Sequence, residues 1–300
     1  MLDETENKPK CLVEYKGKSL LKRQLEIYEN LPIDEIGIVT GYKNLMLEKF
    51  LVKKFHNFDW NKSNMIHSLS FANKWLMRYE CIISYSDIFF EKSAITSIMK
   101  SNSDITILYD KNWKQLWEKR FKNPLSDAET LKLDKNNKIL EIGKKTQNYY
   151  NIEAQFMGIF KTKPNGWKEL LKVKEKLPIE EAYKIDTTSI FQKIIEKDIL
   201  NIQGIEYTEK WGEVDTPTDL EIYKDQLTNR LDPTMSLMQG INAKIRKNPK
   251  RVIFAEGEDE NMLKAAIEFG RNKLGTPILI GTEKRIKEQL KNIGLDENYK

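Results

Sequence analysis

Two aspartates stand where chemistry on a charged ligand would need them. Asp87 follows the apolar run Cys81-Ile82-Ile83-Ser84-Tyr85, so it is expected at the carboxyl end of a sheet strand, where open α/β sheets bind their ligands. Asp215 comes just after the strand-like segment Gly204-Ile205-Glu206-Tyr207 and just before Thr216-Pro217-Thr218-Asp219. In that tetrad Thr216 suits an N-cap, Pro217 the first helical position, and Asp219 the third, where it can close a capping box. Two strand-end carboxylates can share one Mg²⁺, which prefers hard oxygen donors completed by water and phosphate. The pattern alone fits as well an Asp215 that caps a turn and an Asp87 that is an ordinary loop acid. Lys10, in Lys8-Pro9-Lys10, is the point charge a polyphosphate would use, in a chain whose many lysines are mostly solvated. The rings of Trp113, Trp117, Tyr149, Tyr150 and Trp211 could cage a quaternary ammonium group or simply fill a core or lid. Convergence on one pocket would favour the cage; scattering would favour a sugar phosphate or another acceptor. His67 is given no role.

The elements that must position these residues follow from periodicity. Cys11 to Tyr15 reads as a strand, Lys16-Gly17-Lys18 as a turn, and Ser19 as the cap of a helix with Leu21, Leu25 and Tyr28 on one face. Strand Ile36 to Gly41, helix Met65 to Arg78, strand Cys81 to Tyr85, helix Ala94 to Met99 and strand Ile105 to Tyr109 continue the alternation, with a hairpin at Leu131 to Asp134 and Lys138 to Ile142. Such alternation predicts an α/β fold with a doubly wound, mostly parallel sheet. A boundary is expected at Leu231-Asp232-Pro233-Thr234, because Asp-Pro disfavours helix. That makes a first domain of residues 1–231 and a second segment of 232–300. In the latter, strands Arg251 to Ala255 and Pro277 to Ile280 alternate with helices Glu260 to Arg271 and Lys284 to Ile293. So small a parallel sheet should lean on other structure.

Composition narrows the function classes. At 300 residues and 40% hydrophobic, the chain can bury a sizeable core. Its 50 Lys+Arg against 45 Asp+Glu leave +5, too little and too scattered for a nucleic-acid footprint. No apolar run long enough to span a bilayer is present, and the acidic start lacks a signal peptide's basic flank. A soluble, cytoplasmic protein is expected. Cys11, Cys81, His56 and His67 cannot by themselves build a disulfide framework or a zinc cage, so any metal must rest on oxygen ligands.

The motifs together resemble the sugar-nucleotidyltransferase superfamily. Asn7-Lys8-Pro9-Lys10-Cys11-Leu12-Val13-Glu14, Gly17-Lys18-Ser19-Leu20-Leu21, Ile33-Asp34-Glu35-Ile36 and Val39-Thr40-Gly41-Tyr42 match its front. Asn64-Met65-Ile66-His67-Ser68-Leu69, Ser84-Tyr85-Ser86-Asp87-Ile88, Asp127-Ala128-Glu129, Glu153-Ala154-Gln155-Phe156-Met157-Gly158 and Trp211-Gly212-Glu213-Val214-Asp215-Thr216 look like the phosphocholine cytidylyltransferase-like branch. The resemblance runs from about residue 3 to 228. It implies an NTP, with CTP favoured, and a phosphorylated small molecule such as phosphocholine or a sugar phosphate as substrates, with pyrophosphate released. It implies Asp87 and Asp215 as Mg²⁺ ligands, Lys10 on the nucleotide phosphates, and Asn64, Glu153, Tyr85 and Trp211 as substrate-binding residues. The family begins with a strand and a glycine-rich loop, and this sequence opens where that loop would have finished. Weak nucleotide binding, negligible turnover and a slot in the sheet are therefore expected, and a non-catalytic remnant that binds Mg-nucleotide is the alternative.

The tail resembles another family. Asp232-Pro233-Thr234-Met235-Ser236-Leu237-Met238-Gln239, Pro249 to Glu258 and Pro277-Ile278-Leu279-Ile280-Gly281 look like the start of a phosphate acetyl/butyryltransferase domain, as at the end of some malic enzymes. Only the start of that domain is matched, so no acyltransferase activity is expected. Association into homo-oligomers through this segment is the contact the resemblance suggests.

Overall fold

The computed structural model describes residues 5–228, 241, 245, 246, 248–293 and 295. The expected boundary segment Leu231 to Thr234 lies outside the described residues. The chain divides into two compact units, Met1–Gln147 with Ala154–Lys224, and Asn148–Glu153 with Asp225–Lys300.

The first unit has twelve strands among its described residues: β1 Glu14–Tyr15, β2 Lys18–Ser19, β3 Gly37–Thr40, β4 Lys53–His56, β5 Cys81–Ser84, β6 Ile88–Phe90, β7 Ile105–Asp110, β8 Glu129–Leu133, β9 Ile139–Lys145, β10 Gln155–Thr162, β11 Ile202–Glu206 and β12 Trp211–Glu213. Its helices are α1 Leu20–Glu29, α2 Met65–Ser70, α3 Asn73–Leu76, α4 Lys92–Met99, α5 Trp113–Arg120, α6 Pro164–Glu175, α7 Ile179–Lys184, α8 Thr187–Glu196 and α9 Pro217–Thr228. The α/β class is as expected. Its central sheet runs β11-β7-β10-β5, with β11 parallel to β7 and β10 antiparallel to both β7 and β5. Every residue of β7 is buried, as befits a strand covered on both faces. Strands β3 and β4 pair in parallel as a separate ladder.

The main core lies where this sheet meets α6, α8 and the β8–β9 hairpin. Ile107, Tyr109, Phe160, Trp167, Leu170, Ile190, Phe191 and Ile139 are all fully buried there. Buried Trp167 keeps a polar handle by donating from Nε1 to Asn73 Oδ1 at 2.8 Å. A second cluster packs Cys11, Leu12, Leu21, Leu25 and Leu47 against Ile36 and Ile38. It corrects the expected strand at Cys11 to Tyr15, because Lys10–Leu12 forms a 3₁₀ turn instead. Pro9 and Lys10 carbonyls accept from Leu12 and Val13 N–H groups, which lets Cys11 and Leu12 both enter the core, whereas a strand would point them to opposite faces. The expected single helix Met65 to Arg78 is likewise two short helices, interrupted at Phe71 and Ala72. Strands β4 and β10 were not legible in advance: β4 opens on Lys53 and Lys54, and β10 carries a glycine and a buried lysine, Lys161.

The second unit contains β13 Lys250–Phe254 and β14 Gly275–Leu279, paired in parallel, with α10 Glu260–Arg271 and α11 Glu283–Asn292. Leu263, Ile267 and Leu290 form its core with Tyr150, Leu279 and Ile286. Tyr150, considered above as a cage ring, is therefore part of this unit's packing, and the Arg271 guanidinium lies 5.4 Å from its centroid.

Strand β10 has an irregular register between Phe156 and Phe160. Gly158 in that stretch has φ +73°, and a Cβ there would meet the Tyr85 ring at 2.9 Å. Gly158→Ala combines left-handed backbone strain with this clash, so it is expected to destabilise the unit by about 1–3 kcal/mol. Urea unfolding of the variant checks it, and an unchanged midpoint would contradict the analysis.

Candidate active site

The chain reaches this site from three directions. Strands β6 and β12 pair antiparallel, with Ile88 opposite Glu213, and the Val214 N–H donates to the Asp87 carbonyl at 2.9 Å. The ladder thus ends with Asp87 and Asp215 side by side, although they are far apart in sequence. The capping box at the start of α9 is formed: the Asp219 N–H donates to Thr216 Oγ1 at 3.2 Å, and Asp219 Oδ2 accepts from the N–H groups of Asp215 and Thr216 at 2.8 and 2.7 Å. Lys10 arrives on the 3₁₀ turn that Cys11 and Leu12 anchor, and its ammonium donates to Asp87 Oδ2 at 2.5 Å and to Asp215 Oδ1.

Lys10, Asp87 and Asp215, singled out from sequence, are therefore in direct contact. Glu213 joins them, since its carboxylate, with those of Asp87 and Asp215, offers oxygens all within 4.8 Å of one another. Sequence reasoning passed over it, yet Glu213 and Asp215 are two positions apart in extended chain and so share one face. Three hard-oxygen donors this close, two of them already bridged by a cation, are a donor set that fits a divalent metal.

The charges sort themselves by partner. Burial works against the Lys10 ammonium, but Asp87 and Asp215 outweigh it and hold Lys10 above the usual lysine range. Burial also pushes Asp215 up, and Lys10 and Arg120 overcome it to hold that carboxyl below the usual range. Glu213 goes the other way, pushed up to about 8 by burial and then by the negative charges of Asp215 and Asp87. Arg120, a second residue that sequence reasoning missed, is fully buried and donates to Asp215 Oδ2 at 2.6 Å, Asp219 Oδ1 at 3.0 Å and Glu213 Oε2 at 3.4 Å.

Beside this cluster lies a cavity of about 370 Å³. Asn64, Tyr85 and Trp211 line it, and so do Trp117, Phe156 and four acids, Asp127, Glu129, Asp186 and Glu213; Lys145 is the one basic residue of the lining. Asn64 also caps α2, its Oδ1 accepting from the Met65 N–H at 2.8 Å. Trp117 Nε1 donates to Asp127 Oδ2 and Trp211 Nε1 to Asp110 Oδ2, both at 2.9 Å, so both indoles are fixed. Glu129 is held by Thr188 Oγ1 at 3.0 Å and faces Lys145 at 3.4 Å; burial raises it above the ordinary glutamate range despite that lysine. Of the remaining expectations, Glu153, Tyr149 and Tyr150 belong to the second unit and are not among the lining residues, and Trp113 is buried against Trp117 at 6.0 Å.

A CTP:phosphoglutamine cytidylyltransferase from Campylobacter jejuni is 36% identical to this chain over 234 residues, which cover 73% of this chain and 92% of that relative. The chain belongs to the cytidylyltransferase family. Solved structures agree on the nucleotidyltransferase fold. The inositol-1-phosphate CTP transferase from T. maritima superposes with a TM-score of 0.59 at 17% identity, covering 75% of this chain and 88% of that one. The CTP:phosphocholine cytidylyltransferase from Streptococcus pneumoniae gives 0.54 at 18%, covering 75% and 92%. Residues 236–299 match the phosphate acetyl/butaryl transferase family. Over 78 residues the chain is 41% identical to an NADP-dependent malic enzyme from Rhizobium meliloti, spanning 26% of this chain but only 10% of that enzyme. Among the described residues, no helix is long and apolar enough to cross a membrane.

The elevated Glu213 makes a pH-dependent contribution to the stability of this cytidylyltransferase relative. Because its carboxyl moves from 4.5 unfolded to about 8 folded, the folded state holds a proton the unfolded state releases, and stability falls as pH rises across that window. Glu213→Gln should flatten this fall. Unfolding midpoints measured from pH 4.5 to 8 in chelator check it; an unchanged slope would assign the dependence elsewhere.

Proposed function

We propose that the first unit transfers CMP from CTP to the phosphate of a small acceptor that carries an amino-acid headgroup, phosphoglutamine being the model compound, with release of pyrophosphate. The observation that carries this reading is the union of a Lys10–Asp87–Asp215–Glu213 cluster with an acid-rich cavity beside it. In the reaction an acceptor phosphate oxygen attacks the α-phosphorus of CTP; a new P–O bond forms there while the bond to the β-phosphate breaks, and the electron pair leaves with pyrophosphate. Asp87, Asp215 and Glu213 would hold Mg²⁺, which, when bound, neutralises charge developing on the phosphates. Lys10 then has no further claim on both carboxylates, and its ammonium is free to pair with phosphate oxygens. No protein nucleophile is required, so the chain's work is alignment and charge stabilisation.

The cavity supports the acceptor class. Its acids Asp127, Glu129 and Asp186 favour a cationic end, and Lys145 beside Glu129 gives an anionic group a partner. A zwitterionic amino-acid headgroup uses both signs, whereas a trimethylammonium group uses one. Of the rings thought of as a cage, Trp117 and Trp211 line the cavity, whereas Tyr150 packs within the second unit and Trp113 is buried, so the acids and Lys145 rather than the rings carry the choice of headgroup. The name of the Campylobacter jejuni relative points the same way.

A pyrophosphate-release screen of the four NTPs with Mg²⁺ against phosphoglutamine, phosphocholine and glucose 1-phosphate tests the reading. The expected result is release with CTP and phosphoglutamine above every other pair. Asp87→Ala and Asp215→Ala should each lower the rate by about 10²-fold or more. Absence of release from every pair by folded protein would refute the proposal, and preference for phosphocholine would refute the acceptor assignment.

A further inference from the structure

We propose that Arg120 is the positioning residue of the transfer site, fixing the Asp215 carboxylate so that one oxygen faces the bound cation. The two oxygens of Asp215 are divided between partners: Oδ2 accepts from Arg120 Nη2 at 2.6 Å, and Oδ1 accepts from Lys10, the cation now between Asp87 and Asp215. Arg120 is in turn held from its other side, its Nε donating to Asp219 Oδ1 at 3.0 Å. Asp219 spends its second oxygen on the backbone N–H groups of Asp215 and Thr216. The backbone and the side chain of Asp215 are thus both referred to one residue, Asp219, directly in the first case and through Arg120 in the second. The guanidinium has no freedom to drift, because it is fully buried and lies 5.3 Å from the Trp117 ring centroid and 4.9 Å from that of Phe121.

The chemistry requires an arginine. A planar fork with donors in fixed directions can serve three carboxylates at once, whereas a lysine ammonium supplies the charge without the directions. Trp117 links the same guanidinium to the acceptor side, since its indole lines the cavity and donates to Asp127. Arg120 therefore holds the cation-facing carboxylate in register with a wall of the acceptor cavity. It touches neither substrate nor cation itself.

The proposal rests on the reading above in one respect, that Asp215 is a metal ligand, and it is tested without turnover. Mn²⁺ binding to the full chain is followed by the loss of the free Mn²⁺ EPR signal for wild type, Arg120→Lys and Asp219→Asn, with thermal unfolding and near-UV circular dichroism of each. Arg120→Lys keeps the charge and loses the fork, and is expected to weaken Mn²⁺ binding about tenfold or more, the usual cost of losing a ligand's supporting partner. Asp219→Asn can keep the backbone cap through its carbonyl while losing the bond to Arg120, and should weaken binding in the same direction; it decides the matter if Arg120→Lys does not fold. Wild-type affinity in a folded Arg120→Lys, or tighter binding, would reduce Arg120 to charge compensation and overturn the proposal. So would a wild-type chain that takes up no Mn²⁺. Wild-type Mn²⁺ binding that weakens in the variants, without turnover of any nucleotide, would sink the transferase reading and leave the role of Arg120 standing.

Discussion

Three carboxylates gathered within 4.8 Å repel one another, and the structure around them is organised by the need to neutralise that charge. Asp87, Glu213 and Asp215 cannot all be ionised side by side in a partly buried cleft without cations close at hand. Two are supplied, Lys10 from the 3₁₀ turn Lys10–Leu12 and Arg120 from the end of α5, and both converge on Asp215. Glu213, less well served by the cations, is pushed upward by burial and by the charges of Asp215 and Asp87. The same three carboxylates are the oxygen donors that the proposed Mg²⁺ would use.

The fold meets this constraint with short, inexpensive devices. The two-stranded β6–β12 ladder brings two remote segments into register, and the single bond from the Val214 N–H to the Asp87 carbonyl extends that register as far as the aspartates. The capping box of α9 then fixes the backbone at Asp215 with bonds that a helix start must find in any case. A 3₁₀ turn at Lys10–Leu12 drives Cys11 and Leu12 into apolar packing and leaves Lys10 at the edge of the cleft. None of these elements exceeds four residues apart from the helices they lead into. Their precision comes from the buried sheet and helices behind them, where Tyr109, Phe160 and Trp167 are fully enclosed.

Charge distinguishes two groups of residues here: Lys10 and Arg120 stand among the carboxylate cluster, while Asp127, Glu129 and Asp186 with Lys145 line the cavity. Trp117 touches both groups, lying near Arg120 and donating to Asp127. The second unit has a different character. Its two parallel strands pack against α10, while Ile253, and Ile280 just beyond the second strand, are more than half exposed.

The sequence by itself determined the α/β alternation and the capping box at Thr216 and Asp219, and it singled out Lys10, Asp87 and Asp215, which the fold brings into contact. Each of these is a local fact, carried by an apolar run, a cap or a residue next to a strand end. What it did not disclose depends on contacts between distant positions. Arg120 is one of 50 basic residues and ends a helix whose pattern says nothing of three carboxylates, all of them more than ninety positions away. Asp127, Glu129 and Asp186 became cavity acids only when the β8–β9 hairpin and the cap of α8 were folded against β10. The same distinction explains the errors. Cys11 to Tyr15 has strand-like residues, but burying Cys11 and Leu12 together against Leu21 and Leu25 required a turn, and Tyr150 looked available for a ligand until the tertiary packing assigned it to Leu263 and Ile267. Local propensity selects elements, whereas the shared burial of residues remote in sequence selects which charges face one another.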